Sequence, residues 1–224
     1  MNLFGRLAIG SANWGHEYNG VRVSDDDQHR ILDYAMSCGI DMIDTATAYG
    51  IDWTKWNSYF KRVIKINEND SLVHIKKIVE SQPYCVMAHD DHVLTRLGDV
   101  LRYTSIKKGI SIYESFKGYV EKAISVVQLP YSLYDRRFEQ EFEWLTHTEI
   151  HVRSIFLRGK ILEKTTPQEC IKFCLCNPYV DRVIIGADSF EQFKDNVHWI
   201  HEWNRMEKHD EQLLDPRKWS DSGK

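Results

Sequence analysis

Four side chains in this 224-residue sequence are of types that together can move a proton: Asp44, Tyr49, Lys65 and His89. A phenol beside an ammonium is the central pair, because the cation lowers the phenol's pKa from about 10 toward a working range. A carboxylate such as Asp44 would keep that ammonium charged and oriented. An imidazole such as His89 would share the oxygen that receives the proton. The set is equipped to protonate a carbonyl oxygen while hydride arrives from elsewhere. Each residue lies at or just past the end of a short apolar run. Asp44 falls in IDMIDTA, Tyr49 in the TATAYG stretch, Lys65 in RVIKI, and His89 in YCVMAH, with Asp90, Asp91 and His92 following. Structural roles compete with this chemistry: Asp44 can cap a turn, and Lys65 can be a solvated strand end. Lys65 can also be read as the Schiff-base amine of a lyase or isomerase.

Other chemistry-bearing residues carry less. Cys170, Cys174 and Cys176 form C-x3-C-x-C, but no second knuckle accompanies them and their surroundings read as a helix. With Cys38 and Cys85 they make five cysteines without a framework spacing, which reads as reduced, buried thiols rather than a metal site. His198 and His201 share a helical face without a third ligand, and His92 and His151 stand apart. Of the seven Trp residues, Trp14, Trp53 and Trp56 lie where they could line a substrate mouth. Asp25-Asp26-Asp27 and Lys107-Lys108 read as solvated faces or helix-end complements.

The elements that must position the four residues alternate in kind. Eight nearly continuous apolar runs occur at 6–10, 40–46, 62–66, 84–89, 109–113, 125–131, 150–156 and 182–187, as expected of strands covered on both faces. Between them come segments of helical spacing at 25–39, 71–83, 92–103, 114–123, 136–148 and 189–203. The first opens on Asp residues and stops at Cys38-Gly39, and the last opens with Ser189 and Gln192 as an S-x-x-Q capping box. IDWTKWNSYF, between the second and third strands, offers barely two helical turns. This alternation predicts α/β architecture: a compact (β/α)8 TIM barrel with a shortened second helix, a doubly wound open sheet being the alternative. Residues 1–205 form one barrel domain in this reading, and 206–224 a polar C-terminal extension with Trp219 as an anchor.

Composition narrows the class of function. The formal charge is −4, from 29 Lys+Arg against 33 Asp+Glu, with 42% hydrophobic and 28% charged residues. These values suit a globular chain and argue against a basic nucleic-acid binder. No apolar run approaches the roughly 18 residues of a membrane span. MNLFGRLAIG lacks the pattern of a signal peptide, so a cytoplasmic location is expected. The expected partner is a small-molecule carbonyl substrate, with no nucleic acid and no membrane; the oligomeric state is left open.

The run GIDMIDTATAYG resembles the aldo-keto reductase signature, in which a strand-ending Asp precedes a Tyr-Gly by five residues. The resemblance continues in order over about residues 6–200, through LAIGSANWG, VIKIN, VMAHD, GISIY, VVQLPYSLYDRR, IHVRSIFLRGKIL and VIIGADSFEQFKDNV. It implies NADPH- or NADH-dependent reduction of an aldehyde or ketone, a sugar-related carbonyl among the options. Tyr49 would be the proton donor, with Asp44, Lys65 and His89 completing a tetrad. Ser111 and Gln128 would meet the nicotinamide carboxamide. Gly186, Ala187, Gln192, Asp195 and Asn196 would meet the cofactor's phosphates and adenine, and Phe156 stands near the place of a nicotinamide-stacking aromatic. RSIFLRGKIL most resembles members found among genes for surface-sugar biosynthesis.

The departures are specific. Ile51-Asp52 replaces the usual Ser-Glu, and Lys65 follows Tyr49 after only 16 residues. Gln192, with Asp188 and Glu191 beside it, stands where a basic residue would bind a 2′-phosphate; Lys194 or Arg158 would have to compensate, so NADPH versus NADH stays open. These departures also admit a catalytically degenerate barrel acting as a binding or assembly subunit.

Overall fold

The eight apolar runs fold into eight parallel strands that pair in sequence order and close on themselves: β1 (Leu7–Gly10), β2 (Met42–Ala46), β3 (Lys61–Lys65), β4 (Cys85–Ala88), β5 (Lys107–Ser111), β6 (Val126–Pro130), β7 (Glu149–Arg153) and β8 (Arg182–Ile185). The computed structural model describes residues 2–17, 20–53, 56, 58–89, 91–115, 123–145 and 147–203. The 206–224 extension with Trp219, Asp90, and most of the helix expected over 114–123 lie outside the described residues. β8 pairs with β1 through Leu7–Val183, Ala8–Ile184 and Ile9–Ile185, which makes the sheet a barrel and removes every edge strand. The open-sheet alternative is thereby excluded.

Two apolar layers follow from the period-two alternation of strand side chains. One set, including Ala8, Met42, Val63, Cys85, Met87, Val126 and Ile184, packs as its own cluster inside the barrel. The other, including Ile9, Ile43, Ile64, Val86, Val127, Val152 and Val183, packs outward against the helices. The same alternation places Asp44 on the face of Met42, Lys65 on the face of Val63, and Gln128 on the face of Val126. All three are buried. The inner layer therefore turns polar toward the C-terminal ends of the strands.

The helices begin where the sequence offers caps. α1 (Asp25–Cys38) starts at Ser24, whose side chain accepts from the Asp27 N–H, and ends at Gly39. α2 (Leu72–Glu80) is capped by Ser71, and α3 (Asp91–Leu101) follows β4. α4 (Pro167–Cys176) has Pro167 in its first turn and a reciprocal Thr166–Glu169 capping box. α5 (Phe190–His198) is capped by Ser189 and packs beside α1.

The β2–β3 connection carries the 3-10 turn Thr47–Tyr49. One expected helix differs in kind. The 136–148 segment is 3-10 over Glu139–Leu145, not α, although Phe138, Phe142 and Leu145 are buried as its spacing predicts. On α4, Cys170 and Cys174 are buried, whereas Cys176 is exposed. Among the described residues no helix is long and apolar enough to cross a membrane.

Candidate active site

Asp44 and Lys65 form a buried ion pair at the C-terminal end of the barrel. The second oxygen of Asp44 accepts from Gln128 Nε2 at 2.7 Å, and the Gln128 amide oxygen accepts from the Ser111 hydroxyl at 3.3 Å. A continuous line, Ser111–Gln128–Asp44–Lys65, thus spans the barrel from β5 and β6 to β2 and β3. Ser11, just beyond β1, braces the Asp44 carbonyl through its N–H at 3.1 Å and its hydroxyl at 2.9 Å. Burying Asp44 and Lys65 is tolerable only because each is paired and hydrogen-bonded.

The 3-10 turn sets Tyr49 beside this line, with Lys65 Nζ 5.8 Å from the phenol ring centroid. Gly50 follows at φ 67°, a left-handed conformation that explains glycine after the tyrosine. The turn is held from two sides. His16 Nδ1 lies 3.2 Å from the Tyr49 carbonyl oxygen, and a Cβ on Gly15 would fall 1.9 Å from that same oxygen, so the β1 loop can approach only as glycine. On the other side, Thr47 donates to the buried carboxylate of Asp70 at 2.6 Å. That carboxylate also accepts from the Asn67 N–H at 2.8 Å and sits 2.9 Å from His74 Nδ1. Asp70 therefore ties the loop after β3 to the Tyr49 turn. Neither Gly15 nor Asp70 was among the residues singled out from the sequence; Asp70 is visible there only as the residue before an N-cap serine.

His89 lines the same cleft. Its imidazole is pulled below the usual range, first by burial and then by the positive charges of Lys65 and Arg153, with Asp44 and a hydrogen bond to the Ser111 backbone acting the other way. The neutral ring is thus favoured.

The cleft has a volume of about 550 Å³, within the range of small-molecule sites. It brings together Asp44, Tyr49, Lys65, His89, Ser111, Gln128, Phe156, Gly186, Ala187, Gln192 and Asn196. Asp195 is exposed and does not line it. The Trp residues expected at a substrate mouth do not line it either. Trp14 is buried against the edge of Trp56, with centroids 5.8 Å apart, and Trp53 stacks on His74. Residues not anticipated at the cleft include Asn13, Tyr113 and Arg153.

The cofactor end can be judged on this geometry. A Cβ on Gly186 would meet nothing within 4 Å, so the end of β8 leaves open space toward the start of α5. Ser111 and Gln128 supply a hydroxyl and an amide at the opposite end. The corner before α5 is partly self-satisfied: Gln192 Oε1 accepts from the Asp188 N–H at 2.5 Å, one residue ahead of the cap itself. Asn13 Nδ2 donates to the Asp188 carboxylate at 2.8 Å. The donor set and open space fit a nicotinamide dinucleotide, with acidic Asp188 disfavouring extra phosphate charge.

Residues 6–108, from the start of the barrel to the first residues of β5, match the model of the Aldo/keto reductase family. Over those residues, a little under half of the chain, the sequence is similar to the aldo/keto reductases. The matched segment carries Asp44, Tyr49, Lys65 and His89. Among solved structures, PA4992 of Pseudomonas aeruginosa, assigned to the aldo-keto reductases, is similar with a TM-score of 0.65 and 18% identity, over 86% of this chain and 88% of that one. Phosphoribosyl anthranilate isomerase from Thermus thermophilus is similar with a TM-score of 0.55 and 9% identity, over 88% of this chain and 99% of the isomerase. At these identities the likeness speaks to the barrel fold alone. No curated protein matches the chain in sequence.

Proposed function

We propose that the chain reduces an aldehyde or ketone to an alcohol, with NADPH or NADH as the hydride source. The observation that carries this reading is the Lys65 ammonium, locked by buried Asp44 and standing beside the Tyr49 ring in a cleft that also holds His89. Tyr49 gives its hydroxyl proton to the carbonyl oxygen. Lys65 stabilises the phenolate left behind, and its charge is held in place by the Asp44–Gln128–Ser111 line, so little reorganisation accompanies the step. His89, lining the same cleft, orients that oxygen.

A reduced nicotinamide, when bound, supplies the hydride that completes the reduction. Ser111 and Gln128 would hold its carboxamide and Phe156 would cover the ring. Gly186, Ala187, Gln192 and Asn196 would hold the remainder of the dinucleotide.

Binding is tested by titrating the protein with NADPH and NADH separately and following nicotinamide fluorescence; catalysis is tested with a set of aldehydes and ketones. Tyr49→Phe is expected to lower turnover about 10²- to 10⁴-fold while leaving cofactor binding in place. Undiminished reduction by that variant would sink the mechanism. A second reading, a barrel that binds without turnover as part of an assembly, is favoured by one feature: Asp188, at the corner before α5, is already bonded to Asn13 and Gln192 within the chain. Failure to bind either dinucleotide would select it.

A further inference from the structure

Arg153 ends β7 inside the cleft, and nothing in the proton-transfer scheme uses it. Its guanidinium stacks on Tyr113, with Cζ 4.1 Å from the ring centroid. Nη2 donates to the Ile112 carbonyl at 3.0 Å, and Nη1 reaches the Ser154 hydroxyl at 3.4 Å. These contacts fix the plane of the group but leave most of its N–H donors without a protein acceptor among the described residues. No carboxylate of the described residues forms an ion pair with it. The two carboxylates that line the cleft are engaged elsewhere: Asp44 by Lys65 and Gln128, Asp188 by Asn13. Against them stand three cationic side chains, Lys65, Arg153 and Arg158.

A half-buried cation given no counter-ion is favoured further when a ligand supplies the opposite charge. The energetics agree with the geometry. Burial disfavours the charged guanidinium, with Tyr113, Asp44 and Tyr49 acting in the opposite direction. A stacked, oriented guanidinium is suited to grip a carboxylate through two parallel hydrogen bonds.

We propose that Arg153 is a substrate anchor: the cleft takes a carbonyl compound that bears a carboxylate close to the carbonyl carbon, gripped by Arg153 while the carbonyl oxygen lies at Tyr49 and His89. The carbonyl half rests on the reductase reading above; the anion site does not. Closeness of carboxylate to carbonyl follows from position, since Arg153 lines the same cleft as Tyr49 and His89.

The test has a binding arm and a turnover arm. Calorimetry would compare oxamate, a non-reducible isostere of a 2-oxo acid, with neutral oxamide and with orthophosphate, on the wild-type protein, Arg153→Met and Arg153→Lys. Oxamate is expected to bind the wild type, to bind Arg153→Met about 10- to 100-fold more weakly, and to fall between these limits with Arg153→Lys, which keeps the charge but loses the fork. Equal oxamate binding by Arg153→Met, or no binding by the wild type, overturns the proposal. Arg153-dependent binding of orthophosphate in place of oxamate also overturns it. Thermal melting of both variants guards against a folding defect, because Arg153→Lys retains a cation in the same place. In the turnover arm, the ratio of kcat/KM for pyruvate over hydroxyacetone should collapse in Arg153→Met. If no carbonyl is reduced while Arg153-dependent oxamate binding persists, the reductase reading falls and the anion site stands.

Discussion

The Asp44–Lys65 pair ties stability and chemistry together, and the two can be separated experimentally. Removing one partner leaves the other charged and buried, which costs about 3–5 kcal/mol. Lys65→Met and Asp44→Leu are therefore each expected to lower the unfolding free energy by that order, as measured in denaturant. The double variant replaces the pair by apolar groups and is expected to recover much of the loss, while carbonyl reduction stays abolished. If the double variant were as unstable as the sum of the singles, the cost would not come from an orphaned charge. These residues were visible in the sequence because each ends a strand run and differs in kind from the apolar residues before it. Arg153 was not, since it lies inside the apolar-flanked run 150–156 and only the fold sets it against Tyr113 and the cleft. Asp195 shows the converse: the resemblance places it with the cofactor contacts, yet it is exposed and does not line the cleft.

At the scale of elements, the position of Tyr49 depends on two loops more than on its own turn. Gly15→Ala would force a Cβ to within 1.9 Å of the Tyr49 carbonyl oxygen, so one loop must move. We expect this variant to fold with a loss of about 1–3 kcal/mol, the usual cost of overpacking, and to lose most of its turnover. Circular dichroism with steady-state kinetics checks both halves; unchanged turnover would show that the turn tolerates displacement. All eight strands were legible as apolar runs, but their limits were less so. β5 begins at Lys107, two residues before the expected start. Polar Lys107 is drawn into the barrel by Glu149 and Tyr84, a long-range pairing that no local pattern announces. β7 stops at Arg153 because Ser154 turns to φ 59°. The 136–148 segment buries its apolar residues as its spacing predicted, yet does so as 3-10 helix, a difference of backbone winding that periodicity of so few side chains does not separate.

For the whole molecule, the two ends of the barrel divide the labour. The C-terminal end holds the cleft, and the N-terminal end is closed by a polar knot. Tyr84 donates to both oxygens of Glu149 at 2.7 and 2.8 Å, and Lys107 binds the same carboxylate. Burial pushes the Glu149 carboxyl up, but the approach of His151 Nε2 to 3.5 Å and hydrogen bonds from Lys107 and Tyr84 outweigh it and hold the group down at about 2. An unfolded glutamate titrates near 4.3. The knot's contribution is therefore complete above about pH 4.3 and is lost as pH falls toward 2. Thermal midpoints across this interval should fall for the wild type, and fall less for Glu149→Gln, which starts lower. Parallel acid curves for the two proteins would show that the knot contributes nothing.

The link between β2 and β3 has a kinetic corollary. These strands pair over five residues, from Met42–Lys61 to Ala46–Lys65, and are joined only by residues 47–60. Closing a short loop costs little entropy, and contacts near in sequence form early in folding. The separation of 21 residues between Asp44 and Lys65 thus makes their strands a natural folding nucleus, a role open to φ-value analysis of Ile43→Val and Val63→Ala, for which values near zero would rule it out. On this account the chain brings its two central charges within reach of each other before the barrel has closed around them.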